Sequence, residues 1–247
     1  MTLGLNGWRP TFVKLAELLF FPSFCCICRA LLEKSGEKVV CNRCLDKIRL
    51  NRAPFCLSCG RFFNAQGKPH LCAACIRSRP TFSYHRSFSL YQGVLKDTIL
   101  LFKYKKYKVL GKLLARIVYQ GLKKDDRLWW GIEVIIPVPL HPAREKTRGF
   151  NQSRVLAREL GEIVNIDIIE GVLVKPINVP PQTTLTAKER RKNIKGAFKV
   201  SDKAKIKDKT ILLVDDVFTT GATIQECSTV LINAGAKEVR GITVAQA

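Results

Sequence analysis

The chain has 247 residues, 47% of them hydrophobic, which is enough for one or two domains with a substantial core. Its formal net charge of +22 predicts attraction to nucleic acids, phosphates or an anionic membrane surface, with a solubilising surface as the alternative. No stretch could span a bilayer, and Lys14 and Glu17 interrupt the apolar N-terminal residues, which argues against a secretory signal. We therefore expect a cytoplasmic protein that could work at the inner face of the membrane.

Residues 8–21 have the apolar spacing of a short amphipathic helix, so we assign residues 1–21 to an N-terminal helical segment. Its apolar face is expected to pack against the protein's own core, and membrane contact is the alternative. A reducing cytoplasm keeps thiols free, so the ten cysteines of this chain need an explanation other than disulfides.

Eight of the cysteines form two copies of one pattern, in which two Cys-x2-Cys pairs are separated by twelve residues. The first copy is Cys25, Cys28, Cys41 and Cys44, and the second is Cys56, Cys59, Cys72 and Cys75. Two such pairs can complete a tetrahedral four-thiolate zinc site, and a segment this small needs metal to fold. We predict two structural zinc ions in a double zinc ribbon over residues 22–78. Ligation within each copy is favoured, and an interleaved pairing is the alternative.

A second domain is assigned to residues 79–247. Ser87 to Tyr91 alternate like a strand, and residues 94–122 have the pattern of two helices that meet near Lys105–Lys108. This junction mixes cations with aromatic rings, an arrangement that suits single-stranded nucleic acid. A polar face that covers the core is an equally weighted alternative. The candidate contact residues are Lys103, Tyr104, Lys105, Lys106, Tyr107 and Lys108.

The next segments read as an α/β domain. Glu133 to Leu140 predict a buried strand that ends in a rigid turn over His141–Arg144, and a helix is expected from about Gln152 to Val164. Residues 165–177 suggest short strands, and Ala197–Val200 predict another strand.

The run from Ile211 to Thr223 carries the strongest chemical signal. Four apolar residues predict a buried parallel strand, which is followed by Asp215 and Asp216 and then by a loop leading into a helix at about Thr223. Backbone N–H groups at a helix N-terminus attract anions, and Gly221 allows a phosphate to approach the backbone closely. Two carboxylates at this edge can accept hydrogen bonds from ribose hydroxyls. The run therefore predicts a sugar-phosphate site on a doubly wound parallel sheet.

This run resembles the signature of type I phosphoribosyltransferases, which bind phosphoribosyl pyrophosphate (PRPP) together with magnesium. The resemblance implies that Asp215 and Asp216 hold the ribose 2′- and 3′-hydroxyls. It also implies a 5′-phosphate loop, a pyrophosphate loop and a flexible loop that closes over PRPP. The 5′-phosphate loop would be Thr219, Thr220, Gly221, Ala222 and Thr223. The pyrophosphate loop would be Pro139, Leu140, His141 and Arg148, and the flexible loop would include Arg190 and Arg191.

A narrower resemblance rests on several motifs in combination. Pro-Val-Pro at residues 137–139, Arg-Gly-Phe-Asn-Gln at 148–152, Pro-Gln-Thr at 181–183 and the Asp-Asp run are similar to the ComF family of competence and DNA-utilisation proteins. That resemblance implies a role in DNA uptake during natural transformation, in which single-stranded DNA is handled near a helicase-like, ATP-driven translocase.

Two other functions stay open from the sequence. The chain could be an active phosphoribosyltransferase of nucleotide metabolism that releases pyrophosphate from PRPP, or a non-catalytic adaptor for a DNA translocase. Thr219 stands where 6-oxopurine phosphoribosyltransferases typically have an aspartate base, which argues against that substrate class. We assign no catalytic residue.

Overall fold

The structure, a computed structural model, describes residues 23–32, 39–64, 66–178 and 193–247. The helix expected over residues 8–21 and the flexible-loop residues Arg190 and Arg191 lie outside these ranges, so they remain sequence-based expectations. Within the described ranges, no helix has both the length and the apolar character that crossing a membrane would require.

The described helices and strands follow one another in an α/β order. The helices are α1 (Asn42–Leu45), α2 (Ala73–Arg77), α3 (Gly93–Tyr104), α4 (Val109–Leu122), α5 (Asp126–Trp129), α6 (Pro142–Arg148), α7 (Gln152–Val164) and α8 (Ala222–Asn233). The strands are β1 (Tyr84–Leu90), β2 (Val134–Pro137), β3 (Leu173–Val174), β4 (Lys199–Val200), β5 (Thr210–Phe218) and β6 (Glu238–Gln246).

The main sheet has four parallel strands in the order β1-β6-β5-β2. Its central strand β5 is buried from Thr210 to Val214, as the continuous apolar run predicts. Because all four strands are parallel, their carboxyl ends meet at one edge, and Asp215 and Asp216 lie near that edge on β5.

Helices cover both faces of this sheet, which confirms the doubly wound arrangement. On one face α4 and α7 pack together around buried residues such as Leu114, Leu156 and Leu160. On the other face α8 packs through Ile224 and Leu231. Each helix therefore buries one apolar stripe against the strands.

The two cysteine-rich segments belong to different halves of the core. Cys25 and Cys44 of the first segment lie in the hydrophobic cluster on the α4 and α7 face. Cys56 and Cys75 of the second segment lie in the cluster on the α8 face. The cysteine-rich region is therefore packed against both sides of the α/β domain.

Three local expectations differ from the structure. The turn expected at His141–Arg144 is the start of α6, because Pro142 occupies the first helical turn and the His141 side chain accepts a hydrogen bond from the Ala143 N–H. The strand expected over Ala197–Val200 is confined to β4, which pairs with β3 in a separate antiparallel ribbon. Strand β5 runs on through Phe218, so both carboxylates lie within the strand and not after it.

Candidate functional site

The eight patterned cysteines form two compact tetrads. Within each tetrad, the four sulfur atoms lie within 4.8 Å of one another. A tetrahedral zinc ion with Zn–S bonds of about 2.3 Å places its sulfur atoms about 3.8 Å apart. The observed Sγ–Sγ distances include 3.9 Å for Cys25–Cys44, 3.4 Å for Cys28–Cys41 and 3.8 Å for Cys59–Cys72. The donor set fits structural zinc, and each tetrad is built from one copy of the repeat, not interleaved.

The two copies share their backbone geometry as well as their spacing. Arg29 and Gly60 occupy equivalent positions and both have left-handed backbone, with φ of 62° and 68°. The Cys25 N–H donates to the Ala30 carbonyl and the Cys56 N–H to the Arg61 carbonyl, both at 2.8 Å. The internal duplication read from the spacing is therefore present in the fold.

Burial keeps part of each tetrad protonated in the absence of metal. It raises the pKa of Cys44 to about 12 and the pKa of Cys75 to about 11. Zinc binding would displace these protons, since only the thiolate is a good ligand. His70 is exposed and stacks on Phe63, outside both tetrads.

The carboxylate of Asp215 is held by its neighbours at the carboxyl edge of the sheet. It accepts hydrogen bonds from the Ser153 hydroxyl at 2.8 Å and from the Asp216 N–H at 2.9 Å. Burial, together with the negative charge of Asp216, raises the pKa of Asp215 to about 7. The two hydrogen bonds favour the ionised form and only partly offset this increase.

Lys103 forms an ion pair with the second carboxylate. Its Nζ atom lies 2.8 Å from Oδ1 of Asp216, a residue that is only 8% exposed. Burial opposes the lysine charge, but the Asp216 carboxylate outweighs it and raises the pKa of Lys103. The structure thus separates Lys103 from the other residues of the basic junction, because its side chain is directed into the carboxylate pair.

The loop from Thr219 to Thr223 connects these carboxylates to α8. Gly221 has left-handed backbone with φ of 79° and lies against the Phe218 ring, where a Cβ atom would come within 2.6 Å of Cζ. The Thr220 hydroxyl accepts a hydrogen bond from the Ala222 N–H at 3.3 Å. Glycine is therefore needed at this position both for its conformation and for space.

The predicted pyrophosphate segment lies between β2 and α7. Pro139, Leu140 and His141 follow the end of β2, and Arg148 ends α6. Arg148 donates to Oε1 of Gln152 at 2.7 Å. Nε2 of the same amide is the one buried side-chain polar atom without a partner in the described part of the chain.

The basic junction between α3 and α4 lies against this segment. The guanidinium of Arg148 stacks 5.2 Å from the ring centroid of Tyr104, which is 63% exposed. The Lys108 ammonium lies 5.6 Å from the ring centroid of Phe150. Tyr104, Lys105, Lys106, Tyr107 and Lys108 are all exposed, as a contact surface requires. The junction borders the carboxylate site, a neighbourhood that the sequence pattern did not reveal.

Three contributors to the site were missed by sequence reasoning. Ser153, Arg61 and His85 all touch it or its supporting residues from distant parts of the chain. Ser153 had a weak local signal, because Asn151 is a good helix N-cap and therefore places the first turn of α7. Arg61 and His85 had no signal, since neither belongs to a motif.

Two family models match the two parts of this architecture. The family model "Phosphoribosyl transferase domain" matches residues 112–247, more than half of the chain, and the model "Double zinc ribbon domain" matches residues 16–76. Among solved structures, glutamine PRPP amidotransferase from B. subtilis is 23% identical with a TM-score of 0.34, over 55% of this chain and 25% of that chain.

Curated relatives match along nearly their whole length. Competence protein F of Haemophilus influenzae is 30% identical over 226 residues, which cover 90% of this chain and 96% of the relative. The DNA utilization protein YhgH of Salmonella typhi is 29% identical over 233 residues, with the same two shares of 90% and 96%. The chain therefore belongs to the ComF family of competence and DNA-utilisation proteins, in which a double zinc ribbon precedes a phosphoribosyltransferase-type domain.

Proposed function

We propose that this chain is a PRPP-binding protein that handles single-stranded DNA during DNA uptake. The single observation that carries the proposal is the site at the carboxyl end of β5. There, two adjacent carboxylates are followed by a left-handed glycine and the N-terminus of α8. The names of the relatives, competence protein F and DNA utilization protein, support the biological role.

In this proposal PRPP is bound through three groups of residues. Asp215 and Asp216 accept hydrogen bonds from the ribose hydroxyls, and the Thr219–Thr223 loop with the N-terminus of α8 holds the 5′-phosphate. Residues 139–141 and Arg148 face the pyrophosphate. Magnesium prefers oxygen ligands, so it fits a site of carboxylates and phosphates, and it would neutralise the pyrophosphate when bound.

Lys103 has a specific part in this binding. Before PRPP binds, its ammonium neutralises Asp216 and makes the burial of two adjacent carboxylates tolerable. When ribose hydroxyls take up the Asp216 oxygens, the Lys103 ammonium is left beside the bound ligand. It can then pair with a phosphate oxygen of the ligand instead of the Asp216 carboxylate.

Single-stranded DNA is proposed to bind on the exposed α3–α4 junction. Lys105, Lys106 and Lys108 are exposed cations that can pair with phosphates, and the open ring of Tyr104 offers a base a surface for stacking. A translocase that delivers the strand is the partner that this role requires. A cytoplasmic location agrees with the two tetrads, because reducing conditions keep their thiols available for zinc.

The test is a calorimetric titration of the zinc-loaded protein with magnesium–PRPP. The double variant Asp215→Asn/Asp216→Asn removes the ribose acceptors, while Asp202→Asn/Asp208→Asn makes the same charge change at the opposite edge of the sheet. We expect saturable binding by the wild type and the control, and a loss of at least about a hundredfold in the first variant, because two charged hydrogen-bond acceptors are removed.

Three results would decide between the open functions. An absence of binding by the zinc-loaded wild type would overturn the PRPP proposal and leave single-stranded DNA as the ligand to pursue. Release of pyrophosphate from PRPP with a nucleobase acceptor present would show catalysis and favour the phosphoribosyltransferase alternative. Binding without pyrophosphate release supports a sensor or a grip on the nucleic acid.

A further inference from the structure

The second zinc ribbon reaches the Thr219–Thr223 loop directly. A guanidinium N–H of Arg61 donates to the backbone carbonyl of Thr219 at 3.3 Å, across 158 residues of sequence. The turn from Cys56 to Arg61, which carries two zinc ligands, is called the knuckle of the second ribbon here. The Arg61 carbonyl closes this turn by accepting a hydrogen bond from the Cys56 N–H at 2.8 Å. Arg61 also follows the zinc ligand Cys59 by two positions. The geometry of the tetrad and the position of the loop are thus joined by one side chain.

A second line of contacts runs in parallel through a buried histidine. His85 bonds the Cys59 carbonyl through Nδ1 at 2.9 Å and stacks on the Phe218 ring with centroids 4.1 Å apart. Phe218 in turn packs against Gly221 of the loop. Because His85 is fully buried, it cannot move without disturbing both the knuckle and the strand end.

Within its described residues, 23–32 and 39–44, the first ribbon has neither line of contact. In the repeat, the position of Arg61 is taken by Ala30, whose side chain cannot reach across, and that of Gly60 is taken by Arg29. The first ribbon instead packs towards α4, and its Cys26 thiol contacts the Tyr107 hydroxyl at 3.8 Å. Among the described residues, the link to the loop is therefore made by the second copy of the repeat and not by the first.

The loop needs such support because it presents its backbone to the ligand. N–H groups bind an anion well only when they are fixed in the right directions before binding. A guanidinium that holds the Thr219 carbonyl fixes the peptide plane next to the ligand-facing groups. It also places a positive charge behind the site, where it attracts a phosphate.

We propose that the second zinc ribbon is a positioning element of the Thr219–Thr223 loop and that Arg61 is its positioning residue. Zinc in the Cys56, Cys59, Cys72 and Cys75 tetrad holds the knuckle, the knuckle holds Arg61 and His85, and these hold the loop ready for a phosphate. Loss of zinc from this tetrad would loosen the loop, whereas loss from the first tetrad would not. The inference deepens the proposed PRPP site and rests on it for its functional meaning.

The test measures the loop itself as well as the ligand. Hydrogen exchange of the peptide that covers residues 219–223 is compared in the wild type, Arg61→Ala, Arg61→Lys and Arg79→Ala, all with zinc content checked. Arg79 is an exposed cation that, like Arg61, lines the cavity beside Thr220 and Gly221, so it controls for charge. We expect Arg61→Ala to speed exchange about tenfold, Arg61→Lys to restore part of the protection, and Arg79→Ala to match the wild type.

The same proteins are then titrated with magnesium–PRPP, together with Cys59→Ser and Cys28→Ser, each of which disrupts one tetrad. We expect a loss of affinity of about tenfold in Arg61→Ala and a larger loss in Cys59→Ser, with Cys28→Ser close to the wild type. Exchange of the 219–223 peptide in Arg61→Ala that matches the wild type would overturn the positioning role. A wild type that shows the exchange effects but no PRPP binding would instead overturn only the proposed ligand.

Discussion

At the scale of single residues, the site is governed by two carboxylates that share one cation. Lys103 pairs with Asp216, so Asp215 must satisfy its charge with the Ser153 hydroxyl and a backbone N–H. These neutral donors do not offset burial and the adjacent negative charge, which is why the pKa of Asp215 rises to about 7. The ligand-free site therefore carries an electrostatic cost that a bound ligand can relieve.

This cost makes the stability of the protein depend on pH. Because the folded pKa of Asp215 exceeds the usual value of 3.8, the folded state holds a proton that the unfolded state releases between pH 4 and pH 7. Stability from this group is complete below about pH 4 and is lost as pH rises towards 7. We expect Asp215→Asn to raise the unfolding free energy by about 1–3 kcal/mol at pH 8 and by less at pH 5.

Thermal unfolding of zinc-loaded protein from pH 5 to pH 8 checks this expectation. The control is Asp202→Asn, at an aspartate near the opposite edge of the sheet. A constant difference between Asp215→Asn and the wild type across this range would contradict the raised pKa of Asp215.

At the scale of elements, the second ribbon packs so closely against β1 that residue 60 has no room for a side chain. A Cβ atom built on Gly60 would overlap the backbone carbonyl of His85 at the start of β1. The equivalent residue of the first ribbon, Arg29, has the same left-handed backbone but keeps its side chain. Glycine at position 60 is therefore required by the docking and not only by the turn.

The repeat supplies a matched pair of substitutions for this claim. Gly60→Ala adds strain to a left-handed residue and forces the ribbon away from β1, so we expect a loss of about 2–4 kcal/mol of unfolding free energy. Arg29→Gly changes the equivalent residue, and we expect an effect within about 1 kcal/mol. The measurement is thermal unfolding of both variants with two zinc ions bound. Effects of equal size and opposite sign would show that the left-handed turn, and not the docking, sets the cost.

The elements that the sequence predicted are those whose signals are local. The cysteine spacing placed both tetrads, and the run from Ile211 to Thr223 placed β5, its carboxylates and the start of α8, because neighbours along the chain determine these features. The turn expected at His141 was wrong although Pro142 carried a helix-start signal. The links from Lys103 to Asp216 and from Arg61 to Thr219 could not be predicted, since they join distant segments that only the packing brings together.

At the scale of the whole molecule, the dominant property is the net charge of +22. Charge of this size attracts any polyanion, so binding of DNA alone would not identify a surface. The proposed surface differs from the general background in two ways: its exposed cations are interleaved with tyrosines, and it borders the carboxylate site. A test must therefore compare equal charge removed from different places.

Such a comparison is available within the chain. Lys105, Lys106 and Lys108 lie on the α3–α4 junction, whereas Lys203, Lys205 and Lys207 precede β5 at the opposite edge of the sheet, and all six are exposed. Each phosphate contact on a single strand contributes about 0.7 to the slope of log affinity against log salt. We expect the triple Lys→Gln variant at the junction to lower that slope by about 2 and to weaken oligothymidylate binding more than tenfold at 0.1 M salt.

The triple variant before β5 should change the same slope by less than about 0.7, because it removes equal charge from a surface without a contact to the strand. Fluorescence anisotropy with a labelled oligothymidylate, measured at several salt concentrations, gives both slopes. Equal losses in the two variants would mean that the strand responds only to net charge. A selective loss at the junction would locate the strand beside Tyr104 and Arg148, close enough for DNA and a bound phosphoribosyl group to affect one another.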